Sequence, residues 1–178
     1  MPVRYTLLLC GLMLFAVNSR AQHSGMAIGA ELDLPAGNSV NISPIGFGGG
    51  FKGELGLSDK FALTASASLL NFMGKKFYGP RSKATIYFPV KAGLKYYTDR
   101  NFYAEAQLGA RFSDQASAKN GFVWSAGIGT FLKSRQKNQF DVGLRYEEWI
   151  TSTLIIPNGT TYSKFDFFSL RAAYAFKL

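Results

Sequence analysis

The sequence predicts an all-β protein, an eight-stranded antiparallel up-and-down transmembrane β-barrel preceded by a cleavable signal peptide. Apolar and polar residues alternate with period two along most of the chain, which is the pattern of strands with two different faces. Charged residues occur on only one of these faces. Aromatic residues, 15% of the chain, gather near the ends of the alternating runs, as they do in strands that cross a bilayer.

Residues 1–21 have the layout of a secretory signal peptide. Arg4 gives a short basic start, and the apolar run that follows is too short to span a bilayer. Ser19 and Ala21 are small residues at the positions that precede a cleavage site. We therefore expect cleavage after Ala21 and one mature domain over residues 22–178.

Removal of the signal peptide changes the chemistry of the chain. It takes away Cys10, the only cysteine, so the mature chain can form no disulfide. Loss of Arg4 and Arg20 lowers the formal net charge from +9 to +7. No mature segment has eighteen consecutive apolar residues, so the sequence predicts no transmembrane helix.

Eight alternating runs follow the signal peptide without a linker or a change in composition. They cover residues 26–34, 47–57, 61–70, 86–97, 102–112, 122–133, 140–147 and 168–178. The fifth run shows the pattern, because Ala104 and Leu108 fall on one face while Glu105 and Arg111 fall on the other.

The polar faces of these runs are predicted to form an interior charge network. The network contains Glu31, Asp33, Lys52, Glu54, Lys91, Lys95, Glu105, Arg111, Asp141, Arg145, Glu147 and Arg171, and Lys177 lies on the same face. Acids and bases are nearly equal in number, so the carboxylates are expected to neutralise Lys and Arg neighbours, as charges in a low dielectric must. General acids, metal ligands or a proton path are the alternative interpretations of these carboxylates.

Alternation alone does not decide whether lipid or water surrounds the barrel, because a soluble lipocalin-like barrel has the same period. The aromatic positions favour lipid, since rings concentrate at the two interfaces of a bilayer. The aromatics near run ends are Phe61, Tyr96, Phe102, Phe112, Phe122, Trp124, Phe140, Tyr146, Trp149, Tyr174 and Phe176. Each run also supplies about the ten residues that a tilted strand needs to cross.

Connection lengths alternate between long and short. The short connections centre on Ser58-Asp59, residues 99–101 and residues 134–138. Membrane barrels have short turns on the periplasmic side and long loops outside, so both termini are predicted to be periplasmic. Lipid offers no partner to an open sheet edge, which predicts a closed ring. Pro89 cannot donate to a ladder, and we expect a bulge or a local gap there.

The chain resembles the small outer-membrane β-barrel family that includes the OmpA and OmpX transmembrane domains. The resemblance covers residues 22–178 and includes residues 169–176, which look like the C-terminal signal read by the barrel-assembly machinery. Arg171 stands where that signal usually has Gly, and Lys177 and Leu178 follow its last aromatic residue. The resemblance implies an integral protein of the Gram-negative outer membrane that uses this machinery as a partner during biogenesis.

Enzymes with similar barrels, such as lipid A deacylases and outer-membrane phospholipases, depend on a histidine. The only mature histidine is His23, beside the new N-terminus and remote from the outer loops. Without it, and without a cysteine, neither acyl transfer nor hydrolysis is predicted. We therefore expect no catalytic residues, no cofactor and no metal site. Nucleic acid is also not expected as a partner, because the chain is exported and carries no recognition motif.

Two outer loops are candidate contact sites. The first carries four bases, Lys75, Lys76, Arg81 and Lys83, beside two aromatic residues, and could bind lipopolysaccharide phosphates above the membrane. The alternative is a solvated loop without a ligand. The last loop contains residues 153–157 and either extends a hairpin beyond the membrane or offers an edge to a partner.

Three functions remain open from the sequence. The favoured one is a non-enzymatic barrel with a structural or surface-interaction role in contact with outer-membrane lipid and lipopolysaccharide. The alternative is an accessory subunit of a larger outer-membrane export, assembly or uptake complex, which would have a protein partner. A narrow pore is disfavoured, because side chains can fill the interior of eight strands.

Overall fold

The strands pair in chain order into a ring, and the last strand pairs with the first. This computed structural model describes residues 24–74, 85–99, 101–114, 120–133, 139–155 and 159–177. The strands are β1 (Gly25–Pro35), β2 (Gly46–Gly56), β3 (Phe61–Phe72), β4 (Thr85–Tyr97), β5 (Phe102–Ser113), β6 (Gly121–Lys133), β7 (Gln139–Ile155) and β8 (Gly159–Lys177). A short 3-10 helix, Gly37–Asn41, follows β1. The predicted closed antiparallel barrel is confirmed, and the predicted signal peptide lies outside the described residues.

The register of the ring fixes the tilt of the strands. Pairing can be followed from Gly25 through Glu54, Thr64, Gly93, Gln107, Ser125, Glu147 and Phe167, and it returns to β1 at Pro35. One circuit therefore shifts the register by ten residues. For eight strands, this shift corresponds to strands tilted by roughly 40–45° from the barrel axis.

The two ends of the barrel differ. Gly25 and Lys177 pair with each other at one end, which we call the termini end. Two tight turns close there, with the Leu57 N–H donating to the Phe61 carbonyl at 2.8 Å and the Thr98 N–H donating to the Phe102 carbonyl at 3.1 Å. These are two of the predicted short connections, and the third lies outside the described residues. We call the opposite end the hairpin end.

The period-two pattern separates an apolar exterior from a charged interior. Large apolar side chains such as Leu63, Leu94 and Leu144 are exposed on the outside. Lys91 and Glu147 are fully buried in the lumen. Among the described residues, no α-helix is long and apolar enough to cross a bilayer.

Aromatic rings mark both edges of the apolar exterior. At the termini end, the rings of Phe61 and Tyr96 lie 5.1 Å apart. At the hairpin end, the Tyr146 ring lies between Trp124, at 5.6 Å, and Phe168, at 5.5 Å. Aromatic residues therefore lie on the outer face near both ends of the barrel, as their positions near the ends of the alternating runs predicted.

Trp149 is an exception, and its predicted place in the outer girdle is wrong. Only 1% of its surface is exposed, because it follows Glu147 at the two-residue spacing and so points into the lumen. The residue that faces outward between them is Glu148. The predicted seventh run ended at residue 147, so it did not include Trp149 and could not show that Trp149 lies on the same face as Glu147.

Pro89 interrupts the ladder between β3 and β4 without shifting it. Ala67 pairs with Val90 and Leu70 pairs with Tyr87, which is the same register on both sides of the interruption. The intervening positions are unpaired, since proline has no N–H to donate. The expected irregularity is therefore a local gap, not a bulge.

β7 and β8 are longer than the sequence predicted. They keep pairing as far as Ile155 and Gly159. By contrast, β6 pairs with β7 only up to Ile150, and β1 pairs with β8 only up to Phe167. The two strands continue past both neighbours, as the first of the two interpretations of residues 153–157 predicts, while their position relative to the membrane stays a prediction.

Candidate functional site: the filled lumen and the projecting hairpin

Eight of the predicted interior charges are joined in one ion-pair network in the middle of the lumen. We call this the lumen network, and it consists of Glu31, Lys52, Lys91, Glu105, Asp141, Arg145, Glu147 and Arg171. The residues come from β1, β2, β4, β5, β7 and β8, so the network connects nearly the whole circumference. Four acids face four bases, which leaves the set neutral in formal charge.

Two arginines bridge the acids. Arg145 lies 2.6 Å from Glu31 and 3.3 Å from Glu147. Arg171 lies 2.9 Å from Asp141 and 3.5 Å from Glu31. Because a planar guanidinium presents several fixed donors, one arginine can satisfy two buried carboxylates at once.

Two lysines complete the network at its ends. Lys52 lies 3.0 Å from Asp141 and 3.2 Å from Glu105, while Lys91 forms a fully buried pair with Glu147. Charges taken out of water require such partners, since an unpaired buried ion costs several kcal/mol. Each charge of the network therefore has at least one partner of opposite sign.

Neutral polar side chains occupy the remaining lumen volume beside the network. The Gln107 amide nitrogen donates to the Thr64 hydroxyl at 3.2 Å and to Glu105 at 3.1 Å. The Ser66 hydroxyl donates to the Gln107 amide oxygen at 3.3 Å, and the Ser68 hydroxyl donates to Glu31 at 3.3 Å. Small hydroxyl residues thus fill the space between the long charged chains.

Aromatic residues close the lumen at the termini end. Tyr97, Tyr103 and Phe131 pack together there with Ala62. The Lys95 ammonium lies 4.1 Å from the Tyr103 ring centroid and 5.1 Å from that of Phe131, which is cation–π geometry. Its charge is paired with Glu54 at 2.5 Å. Lys95 and Glu54 thus form a second pair, separate from the lumen network.

A second aromatic group, the aromatic plug, fills the lumen at the hairpin end. It consists of Phe72, Tyr87, Trp149, Phe165 and Phe167, with Leu70 and Val123 packed among them. Phe72 contacts four of these rings at centroid distances of 5.0–6.1 Å. The Trp149 indole N–H donates to Glu147 at 2.7 Å, so the aromatic plug rests directly on the lumen network.

Two predicted members do not join the ion pairs. Arg111 donates to the Thr151 hydroxyl at 2.6 Å, and its guanidinium lies 4.7 Å from the Tyr87 ring and 4.9 Å from the Trp149 ring. Asp33 is fully buried and forms no ion pair with a described residue. Its neighbour on β8 is Ser169, whose hydroxyl lies beside the Asp33 carboxylate.

Inward-facing glycines make room for the long side chains. A Cβ at Gly127 would lie 2.5 Å from the Cβ of Arg145, and one at Gly129 would lie 2.3 Å from the Tyr103 ring. The filling leaves a cavity of about 20 Å³ beside Lys52, Arg145 and Arg171, which is enough for about one water molecule. The arrangement packs the lumen with side chains.

The other predicted site residues fall elsewhere. The candidate lipopolysaccharide contacts Lys75, Lys76, Arg81 and Lys83 lie outside the described residues. Within the described part of the chain, no group of three acidic, histidine or cysteine residues is placed to hold a metal ion. The two aromatic groups were not predicted, although their residues share the parity of the interior charges along each strand.

The hairpin end carries the backbone edges that the barrel does not use. The Asp166 carbonyl accepts the Ala36 N–H at 2.9 Å, and the Asp166 N–H donates to the Ser39 hydroxyl at 2.9 Å. Backbone groups of alternate residues point to the same side of a strand, so those of Lys164 and Tyr162 face the same edge as Asp166. No described strand pairs with that edge beyond Phe167.

Comparisons with known proteins agree with this architecture. Residues 6–176 match the family described as outer membrane protein beta-barrel domain. A comparison with curated protein sequences finds no match.

Several solved structures share the fold. Ail, the attachment invasion locus protein of Yersinia pestis, is 16% identical with a TM-score of 0.55, covering 86% of this chain and 97% of Ail. OprG from Pseudomonas aeruginosa is 14% identical with a TM-score of 0.53, covering 89% and 98%. The outer membrane protein AlkL is 16% identical with a TM-score of 0.51, covering 92% and 95%. At these identities the likeness shows the fold alone, while the family match spans nearly the whole chain. The chain therefore belongs to the outer membrane protein beta-barrel domain family and is a transmembrane barrel of the Gram-negative outer membrane.

Proposed function

We propose that this protein is a non-enzymatic, non-conducting barrel that holds its β7–β8 hairpin above the outer surface of the membrane for contact with a partner. The observation that carries the proposal is that β7 and β8 pair as far as Ile155 and Gly159, beyond the last pairs of both neighbouring strands. A hairpin of this kind adds nothing to the closure of the ring. No described strand pairs with its outer backbone edge, which suits a partner segment that adds as a further strand.

The filled lumen supports the absence of conductance. An ion entering from the hairpin end would meet the aromatic plug, then the lumen network, and then the rings around Lys95. Moving through would require breaking buried ion pairs that stabilise one another. Planar-bilayer recording of the purified protein is expected to give a flat trace, and steady unitary steps would contradict a sealed lumen.

The orientation we propose puts the termini in the periplasm and the hairpin outside. Ser163 on the hairpin and Asp59 in a turn at the termini end are both exposed, and the one natural cysteine lies in the predicted signal peptide. Ser163→Cys should react with a membrane-impermeant maleimide on intact cells. Asp59→Cys should react only after the outer membrane is permeabilised, and the reverse pattern would overturn this orientation.

A partner at the hairpin can be trapped in the same way. A photoreactive residue at position 163 in living cells is expected to give a crosslinked species, while one at position 59 serves as the matched control. Crosslinking at neither position would leave a structural role in the membrane and would contradict the surface interaction.

Lipopolysaccharide is the second partner we propose. β3 ends at Phe72 and β4 begins at Thr85, both at the hairpin end, so the segment that carries Lys75, Lys76, Arg81 and Lys83 joins strands on the proposed outer side. Replacing the four bases with Gln should reduce the lipopolysaccharide that copurifies with the protein. Unchanged copurification would contradict this role for the segment.

An accessory role in a larger outer-membrane complex is the alternative, and the same unpaired edge favours it. Native gel electrophoresis after mild detergent extraction separates the two functions. A single species at the mass of one barrel supports the lone protein, whereas comigration with other membrane proteins supports the accessory subunit.

A further inference from the structure

A groove of about 480 Å³ crosses the outer surface of β5, β6, β7 and β8 near the termini end. Its lining is almost entirely apolar, and we call it the lateral groove. One wall is the row Ala104, Ile128, Leu144 and Leu170, whose members pair in succession across the four strands. The other wall is the parallel row Phe102, Thr130 and Val142.

The row between these walls forms the floor of the groove. It consists of Tyr103, Gly129, Gly143 and Arg171, whose side chains, where present, point into the lumen. Because this row faces inward, its backbone is the floor, and the Tyr103 ring lies beneath Gly129 on the lumen side. Ile128 and Phe102 rise beside it, with 66% and 58% of their surfaces exposed.

The occupant of this groove must be apolar and must come from the surroundings of the barrel. All wall side chains lie on the outward face, which in a membrane barrel faces hydrocarbon. The groove crosses three strand spacings, or about 14 Å, measured across the tilted strands. A methylene group takes up about the space of a water molecule, so the groove has room for several consecutive methylene groups.

We propose that the lateral groove retains one acyl chain of a phospholipid from the leaflet at the termini end. An empty groove would leave its walls without contacts on one side, and a flexible chain can fill it along its whole length. Thr130 lines the groove on the side nearest the termini, where its hydroxyl could donate a hydrogen bond to an ester group of the lipid. Ordinary annular lipids exchange freely, whereas this one should stay bound.

The proposal can be tested by counting retained lipids. The protein is folded into vesicles of phosphatidylethanolamine and phosphatidylglycerol, extracted in mild detergent, and measured by native mass spectrometry. The wild type is expected to carry one phospholipid per chain. The double variant Ala104→Phe/Val142→Phe fills the lateral groove from its two walls, and the share of lipid-bound chains should fall at least fivefold.

Ala65→Phe is the matched control, because Ala65 is also exposed on the outward face but lies on β3 across the barrel. It should retain lipid like the wild type. Folding of all three proteins is checked by their migration on unheated gels. A wild type without lipid, or equal retention in the groove-filled variant, would overturn the proposal. A wild-type dimer that the double variant converts to a monomer would identify a second copy of the chain as the occupant instead.

Discussion

Tyr103 lies against the backbone of Gly129, so closely that a Cβ at Gly129 would be 2.3 Å from both the ring Cζ and the hydroxyl oxygen. Gly129 therefore determines where the ring can lie. In this position the Tyr103 hydroxyl donates to Asp141, and its ring faces the Lys95 ammonium. One glycine on β6 thus positions a side chain that links the lumen network to the Lys95–Glu54 pair.

Gly129→Ala is expected to lower the free energy of unfolding by about 1–3 kcal/mol, the usual cost of overpacking. The added methyl group would push the Tyr103 ring away from Asp141 and leave that carboxylate with one donor fewer. Guanidinium unfolding in lipid vesicles measures the change. Gly53→Ala is the control, because the nearest atom to its added Cβ is 4.0 Å away, and it should shift the value by less than about 0.5 kcal/mol. Equal effects of the two substitutions would contradict this role of Gly129.

The sequence predicted the ring of strands and whether nearly every residue lies on the inner or the outer face, because both follow from a period of two. Asp141 and Arg171 fall on the polar face of their runs by parity alone. The sequence could not predict which carboxylate pairs with which base, since ion pairs across a lumen depend on the shear of the closed ring. Arg145 of β7 meets Glu31 of β1, two strands that share no ladder.

The missed aromatic plug has a different cause. Phe165 and Phe167 fall outside the eight predicted runs, because the eighth run begins at residue 168, whereas β8 begins at Gly159. Continuing the parity of Ser169 and Arg171 backwards would have placed both rings inside. The full length of β7 and β8 also does not follow from lipid burial, because a part that continues past the neighbouring strands has no need to match the membrane thickness.

Arg145→Met should be the most damaging change in the lumen network. It removes the donor at 2.6 Å from Glu31 and leaves two buried carboxylates underpaired, at a cost of about 3 kcal/mol in the free energy of unfolding. Arg111→Met is the matched control, since Arg111 bonds to a hydroxyl and two rings but to no described carboxylate, and it should cost about 1 kcal/mol. Guanidinium titration of both variants gives the comparison. A larger loss in the Arg111 variant would mean that the aromatic plug, and not the ion pairs, dominates stability.

Asp33→Asn is expected to leave the protein as stable as the wild type or more stable, by about 1 kcal/mol at neutral pH. The carboxylate is buried beside the Ser169 hydroxyl and forms no ion pair with a described residue, and an amide of the same shape costs less to desolvate than a charge. Glu147→Gln is the contrasting variant, because Glu147 pairs with Lys91 and Arg145, and it should destabilise the barrel. If Asp33→Asn destabilises as much as Glu147→Gln, Asp33 has a basic partner in the folded protein.

The two tryptophans should report opposite environments, because Trp149 lies in the lumen with 1% of its surface exposed while Trp124 packs against Tyr146 on the outer face. The chain has no other tryptophan, so Trp124→Phe and Trp149→Phe each leave a single tryptophan, whose fluorescence is excited selectively over that of the tyrosines. In vesicles of phospholipids brominated near the headgroup, the fluorescence of Trp124 should be quenched at least twice as strongly as that of Trp149. Both variants should migrate as folded barrels on unheated gels, since Phe keeps most of the ring volume at either position. Equal quenching would place Trp149 in the outer girdle and would remove the aromatic plug from the lumen.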